Sequence, residues 1–151
     1  GWHSPAGILE TPVMPRSGPA GDALWLHPGS GSPAKSLPPE VLVELAGQGL
    51  AGGPSHLIVS FGEADLDLRG PVHRAFREGG LSCTEVVCPS LCELRRRLAA
   101  EAAAFIGPDT GVTHLAAALG IPTTAVFRAT DPAVWRPVGA VRVLDWRRGG
   151  A

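Results

Sequence analysis

Residues 105–127 read FIGPDTGVTHLAAALGIPTTAVF, and the order of residue types in this stretch decides the kind of fold. Phe105-Ile106 is a short apolar run that stops at Gly107-Pro108, as a buried strand does at a turn. Val112–Leu119 has the composition of a short helix, ended by Gly120 and Pro122. Thr123–Phe127 returns to β-branched and apolar residues, a second strand. Strand, turn, helix and strand in so short a span form a βαβ unit, whose two strands run parallel.

The same alternation extends both ways. Upstream, Ala23–Leu26 reads as a strand, followed by a polar Gly/Ser loop from His27 to Ser36. A helix opens at Pro38-Pro39 and ends near Gly47. His56–Phe61 is a strand running into the loop GEADLDLRG, a helix covers Pro71–Glu78 and stops at Gly79-Gly80, and Thr84–Val87 is a strand. Leu91, Leu94, Leu98 and Phe105 then recur near helical spacing, with Glu93 and Arg95–Arg97 on the wet face. Downstream, the loop RATDPAVWRPVGA leads to a last strand at Val141–Leu144. The expectation is an α/β domain, a parallel sheet of about five or six strands with helices on both faces, over residues 23–151. Residues 1–22, broken by Pro and Gly every few positions, read as a lead-in or linker with at most a short edge strand. Right-handed crossovers place the loops that follow the strands on one sheet edge, where ligands bind in such folds.

Composition narrows the function. With 13 basic and 14 acidic residues the net charge is −1, which removes the electrostatic argument for nucleic-acid binding. No apolar run is long enough for a membrane span, and the start lacks a signal-peptide pattern. Cys83, Cys88 and Cys92 have neither a disulfide framework nor zinc spacing, and read as buried or incidental thiols. Together these features point to a cytoplasmic protein. Lysine occurs once in the chain, at Lys35; arginine supplies the other basic residues.

Three loops carry candidate chemistry. In HPGSGSPAKS (27–36), Gly29 and Gly31 let backbone approach an anion, Ser30 and Ser32 offer hydroxyls, and Lys35 adds charge. The string falls short of an ATPase P-loop, because Ala34 replaces its second glycine and Leu37-Pro38-Pro39 replaces the helix that must follow Lys-Ser. In GPDTGVTHLAAALG (107–120), Asp109 or Thr110 caps a helix whose bare first turn at Gly111 suits a diphosphate, with His114 close by. An ordinary cap and an ordinary helical histidine explain the same residues. Among Glu63, Asp65 and Asp67, any one is placed to accept ribose hydroxyls; Asp65-Leu66-Asp67 also mimics a metal-binding pair, though a solvated turn is the simpler reading. Trp135 either packs on the sheet edge, the preferred reading, or lines a cleft.

Taken together, HPGSGSPAKSLPPE and FIGPDTGVTHLAAALGIPTTAVFRATDPAVWRPVGA resemble the donor-binding half of the family 9 glycosyltransferases, the ADP-heptose:lipopolysaccharide heptosyltransferases and their relatives. The resemblance covers about residues 23–140. It implies the Rossmann-like C-terminal half of a GT-B enzyme that uses no metal or other cofactor. By position, Ser30, Gly31, Lys35, Thr110, Gly111, Val112 and His114 would hold the donor diphosphate, Asp109 the sugar, and Glu63 or Asp65 the ribose. The implied reaction moves a sugar such as heptose from a nucleotide diphosphate, ADP-linked, to lipopolysaccharide or another glycan, in the cytoplasm or at the inner membrane. A non-catalytic nucleotide-sugar module and a GT-B nucleotide-sugar epimerase are the alternatives. The sequence departs from the family in three places. The acceptor domain with its general base is not among these residues, the usual Phe-Gly-Pro-Thr turn reads Phe127-Arg128-Ala129-Thr130, and no long closing helix follows the last strand. The chain is therefore expected to be a fragment, split half or degenerate relative that does not transfer sugar alone.

Overall fold

In the computed structural model, which describes residues 21–147, every strand of one sheet runs parallel to its neighbours. The elements are β1 (Ala23–Leu26), α1 (Pro39–Ala51), β2 (His56–Phe61), a 3-10 helix (Glu63–Leu68), α2 (Arg69–Glu78), β3 (Thr84–Val87), α3 (Leu91–Glu101), β4 (Ala102–Pro108), α4 (Gly111–Ala118), β5 (Thr123–Phe127), α5 (Pro132–Trp135) and β6 (Val141–Asp145). The six strands are ordered β3-β2-β1-β4-β5-β6. The expected parallel α/β sheet is present; any edge strand before residue 21 lies outside the described residues.

Two cores follow from the alternation of side chains along each strand. Leu24 and Leu26 of β1, with Leu57, Val59 and Phe61 of β2, meet Leu42, Leu45, Val72 and Phe76 of α1 and α2. Ala23 and Trp25, from the same β1, point the other way with Ile58 and Phe105, onto Leu94, Leu98 and Ala116 of α3 and α4. All four residues of β1 are therefore buried, the pattern of a central strand covered on both faces. Arg97 was expected on the wet face of α3. It instead lies over the Trp25 ring, 5.9 Å from the centroid, and pairs with Glu101 at 2.7 Å. Glu93, Arg95 and Arg96 face water as expected.

Several boundaries differ from the sequence reading for physical reasons. Helix α1 runs past Gly47 to Ala51. A mid-helix glycine costs about 1 kcal/mol, but Leu50 packs on the core. Gly49 also lets the helix approach Leu24, whose Cδ2 would be 2.7 Å from an added Cβ. The GEADLDLRG loop winds into a 3-10 turn that runs directly into α2, two residues earlier than expected. Strand β4 begins at Ala102, at the end of α3, so Phe105 belongs to the strand and not to the helical stripe. The segment after β5 contains a one-turn helix, α5, capped by Asp131, which accepts from the Ala133 N–H. Gly120, at φ +77°, closes α4 as the sequence implied.

Candidate functional site

From β1 the chain winds outward through β2 and β3, and from β4 it winds the other way through β5 and β6. The crevice outside the ends of β1 and β4 is thus the switch point of the sheet, where nothing crosses overhead and ligands enter such folds. The loop from His27 to Ser36 leaves β1 there, and the Asp109-Thr110 turn leaves β4 beside it. The two meet: Lys35 Nζ lies 3.5 Å from Asp109 Oδ2.

Asp109 is only 7% exposed, so its carboxylate needs partners. Oδ2 accepts from Thr130 Oγ at 2.6 Å as well as facing Lys35, and Oδ1 faces His114 Nε2 at 3.3 Å. Thr130 arrives from the turn after β5, a partner absent from the sequence reading. Thr110 occupies the N-cap position of α4, yet neither its side chain nor that of Asp109 caps the helix. Among the described residues, no side chain accepts from the first-turn N–H groups of Gly111 and Val112. A Cβ on Gly111 would meet nothing within 4 Å, so this terminus is open. Thr113 is buried and turned inward, donating to the Pro108 carbonyl at 2.6 Å.

The remaining residues expected in the site are arranged differently. Ser30 Oγ donates to the Ser32 carbonyl at 2.7 Å and accepts from the Ser32 N–H, so its hydroxyl shapes its own loop. Gly31 is open to solvent. Glu63 and Asp67 are exposed in the 3-10 turn, but Asp65 is only 4% exposed, which corrects the reading of a solvated turn. Its Oδ2 accepts from the Gly62 N–H at 3.0 Å and lies 3.4 Å from His27 Nε2. Burial pushes the Asp65 carboxyl up, but the contacts with His27 and the Gly62 N–H outweigh it and hold the group below the ordinary aspartate range.

His27 is fixed from its other side by Ser60 Oγ at 2.8 Å from Nδ1, and Trp25 Nε1 donates to the same hydroxyl at 2.9 Å. The indole can only donate, so the consistent assignment gives the Ser60 proton to His27 Nδ1 and leaves Nε2–H facing Asp65. This buried chain anchors the start of the Lys35 loop to β2. No spacing rule brings these residues together; only the adjacency of β1 and β2 does.

Elsewhere, the features held as incidental stay apart from this crevice. Among the described residues, no three His, Cys, Asp or Glu side chains converge on a common point. Cys88 and Cys92 are exposed, and Cys83 is half-buried, its thiol pushed up by burial and then by Glu85. Trp135 is 54% exposed, so the expectation that it packs on the sheet edge is wrong. A cavity of about 480 Å³ lies beside α5 and β6, lined by Asp131, Arg136, Asp145 and Arg147 among others. It shares no residue with the Lys35–Asp109 cluster, and Arg147 already pairs there with Asp131 and Asp145.

The family model described as glycosyltransferase family 9 (heptosyltransferase) matches residues 27–146. The chain belongs to glycosyltransferase family 9. Three solved structures extend the likeness of this family 9 chain. Escherichia coli heptosyltransferase WaaC, solved with ADP, is 25% identical with a TM-score of 0.70, over 83% of this chain and 38% of that one. The E. coli ADP-heptose LPS heptosyltransferase II is 26% identical with a TM-score of 0.63, over 81% and 38%. A family 9 glycosyl transferase from Veillonella parvula DSM 2008 is 20% identical with a TM-score of 0.68, over 83% and 35%, and bears on the fold alone. This family 9 chain thus spans less than two-fifths of the length of each. No curated protein matches it significantly. Among its described residues no helix is long and apolar enough to cross a membrane.

Proposed function

We propose that the chain is the donor-binding domain of an inverting family 9 glycosyltransferase, which moves heptose from an ADP-linked donor to lipopolysaccharide or another glycan. The observation that carries this reading is the meeting of Lys35 and Asp109 at 3.5 Å beside the uncapped start of α4. An ammonium, free N–H groups and the positive end of a helix dipole at one switch point suit a diphosphate. The choice of ADP and heptose leans on the two E. coli heptosyltransferases, one of them solved with ADP.

In the reaction an acceptor hydroxyl attacks the anomeric carbon while the bond from that carbon to the diphosphate oxygen breaks. The leaving nucleoside diphosphate keeps the electron pair. Lys35 and the Gly111 and Val112 N–H groups offset the charge that gathers on it. That arrangement would do without a metal the work a metal often does. An ionised carboxylate has about four acceptor positions, and Asp109 uses three, on Lys35, Thr130 and His114. The remaining one is suited to a sugar hydroxyl. The general base that deprotonates the acceptor is assigned to an acceptor-binding domain rather than to the donor site built by Lys35 and Asp109. The site of action is the cytoplasm, at the inner membrane where lipid-linked acceptors are found.

A thermal-shift panel of ADP, UDP, GDP and their sugars tests the reading. A ligand at about 100 times its Kd stabilises by about 2.7 kcal/mol, or about 5–10 °C for a domain of this size. ADP and ADP-sugars should give that shift. No shift with any nucleoside diphosphate would remove the proposal.

A further inference from the structure

We propose that Arg128 is a second cation of the diphosphate site, contacting the donor's phosphates directly. The inference rests on the nucleoside-diphosphate reading above and adds to it a residue that the family's usual turn does not carry.

Arg128 follows the last residue of β5, and its Nη1 donates to the carbonyl of Ser36, 92 residues away in the loop that leaves β1. Strands β1 and β5 flank β4, so their ends stand about 10 Å apart, twice the strand spacing. The side chain therefore passes over the end of β4, where Asp109, Thr110 and the open first turn of α4 begin. Leu37 N–H donates to the Pro28 carbonyl at 2.9 Å, so the Ser36 contact holds the guanidinium beside the start of the β1 loop, next to the switch-point crevice.

Charge decides what it does there. Lys35 is partnered by Asp109, and that carboxylate is also held by Thr130 and His114. Arg128 is half-buried, and among the described residues its partner is a neutral carbonyl and not a carboxylate. One of five guanidinium donors is used, which leaves the rest of a planar fork to match phosphate oxygens. A phosphate seated on the Gly111 and Val112 N–H groups would give the guanidinium the counter-ion it lacks. The Ser36 contact then serves to aim the fork and to couple the Lys35 loop to the turn after β5.

Calorimetric titration of ADP and of adenosine into wild type, Arg128→Gln and Arg128→Lys separates these roles. Glutamine keeps a donor for the Ser36 carbonyl and removes the charge; lysine keeps the charge and loses the fork. Arg128→Gln should bind ADP about 10- to 150-fold more weakly, the loss of a charge-assisted contact, with adenosine affinity unchanged. Arg128→Lys should recover part of the difference, and melting curves establish that each variant is folded. Arg128→Gln binding ADP as tightly as wild type would overturn the inference. Tighter binding would overturn it too, by making Arg128 an obstruction. If wild type bound no nucleoside diphosphate at all, the reading beneath it would fall first, a result distinct from either.

Discussion

Two glycines in the Lys35 loop, Gly29 and Gly31, should respond oppositely to the same substitution. Neither has a left-handed backbone, so alanine is sterically acceptable to the main chain at both. A Cβ on Gly31 would meet nothing within 4 Å, whereas one on Gly29 would lie 2.0 Å from Asp65 Oδ1 and 2.1 Å from its Cγ. Asp65 cannot yield cheaply, because it is buried and held by the Gly62 N–H and His27. Its Oδ1 has no hydrogen-bond partner among the described residues and rests against Gly29. Overpacking costs about 1–3 kcal/mol, and displacing a carboxylate from charge-assisted bonds costs about 1.5–3 more. Gly29→Ala should thus destabilise by roughly 2.5–6 kcal/mol, or about 5–24 °C in Tm for a chain of this length. Gly31→Ala should stay within about 0.5 kcal/mol of wild type. The assay is thermal and urea unfolding of both variants, with Asp65→Ala and the Gly29→Ala/Asp65→Ala pair completing a double-mutant cycle. The double variant should lose less than the sum of the single ones, because the two shortest contacts, to Oδ1 and Cγ, go with the carboxylate and only the 2.7 Å approach to the residue 65 Cβ remains. Equal melting of Gly29→Ala and Gly31→Ala, or simple additivity in the cycle, would refute the placement of Asp65 against this loop.

Because Asp65 titrates below its ordinary range in the fold, its ionised form adds stability above the unfolded-state pKa, and this is lost as pH falls through the folded one. The stability gap between wild type and Asp65→Asn, measured by urea unfolding, should therefore be widest near neutrality and narrow below about pH 4; a gap independent of pH would contradict the assignment. Gly111→Val points its side chain into open space, so it should melt close to wild type yet bind ADP at least about tenfold more weakly by crowding the first turn of α4. Unchanged calorimetric affinity would place the phosphates elsewhere.

How much of this was readable beforehand varies with the range of the contact. The strands of β1, β2 and β5 are short β-branched or apolar runs bounded by turn residues, and local chemistry suffices to find them. The Lys35 loop and the Asp109 turn were also visible, since each follows a strand and a parallel sheet puts such loops on one edge. What escaped were long-range contacts that no periodicity encodes. Asp65 looked like a surface acid because its neighbours Glu63 and Asp67 are surface acids; only His27, delivered by the adjacent strand, makes its burial tolerable. Thr130 sat in an unremarkable turn until β5 was placed beside β4. Trp135 misled in the other direction, since a large aromatic near a strand usually packs and this one is left exposed. Helix α1 outran Gly47 because tertiary packing at Gly49 and Leu50 overrides helix propensity.

The most direct test of the diphosphate site is calorimetric titration of ADP into folded Lys35→Ala beside wild type. Lys35 is the chain's one lysine, and its removal both deletes a charge-assisted contact and leaves Asp109 facing the phosphates without its cation. Affinity should fall by about 10- to 150-fold, with circular dichroism and melting temperature showing an intact fold. A folded Lys35→Ala protein that binds ADP as tightly as wild type would contradict the site at its centre.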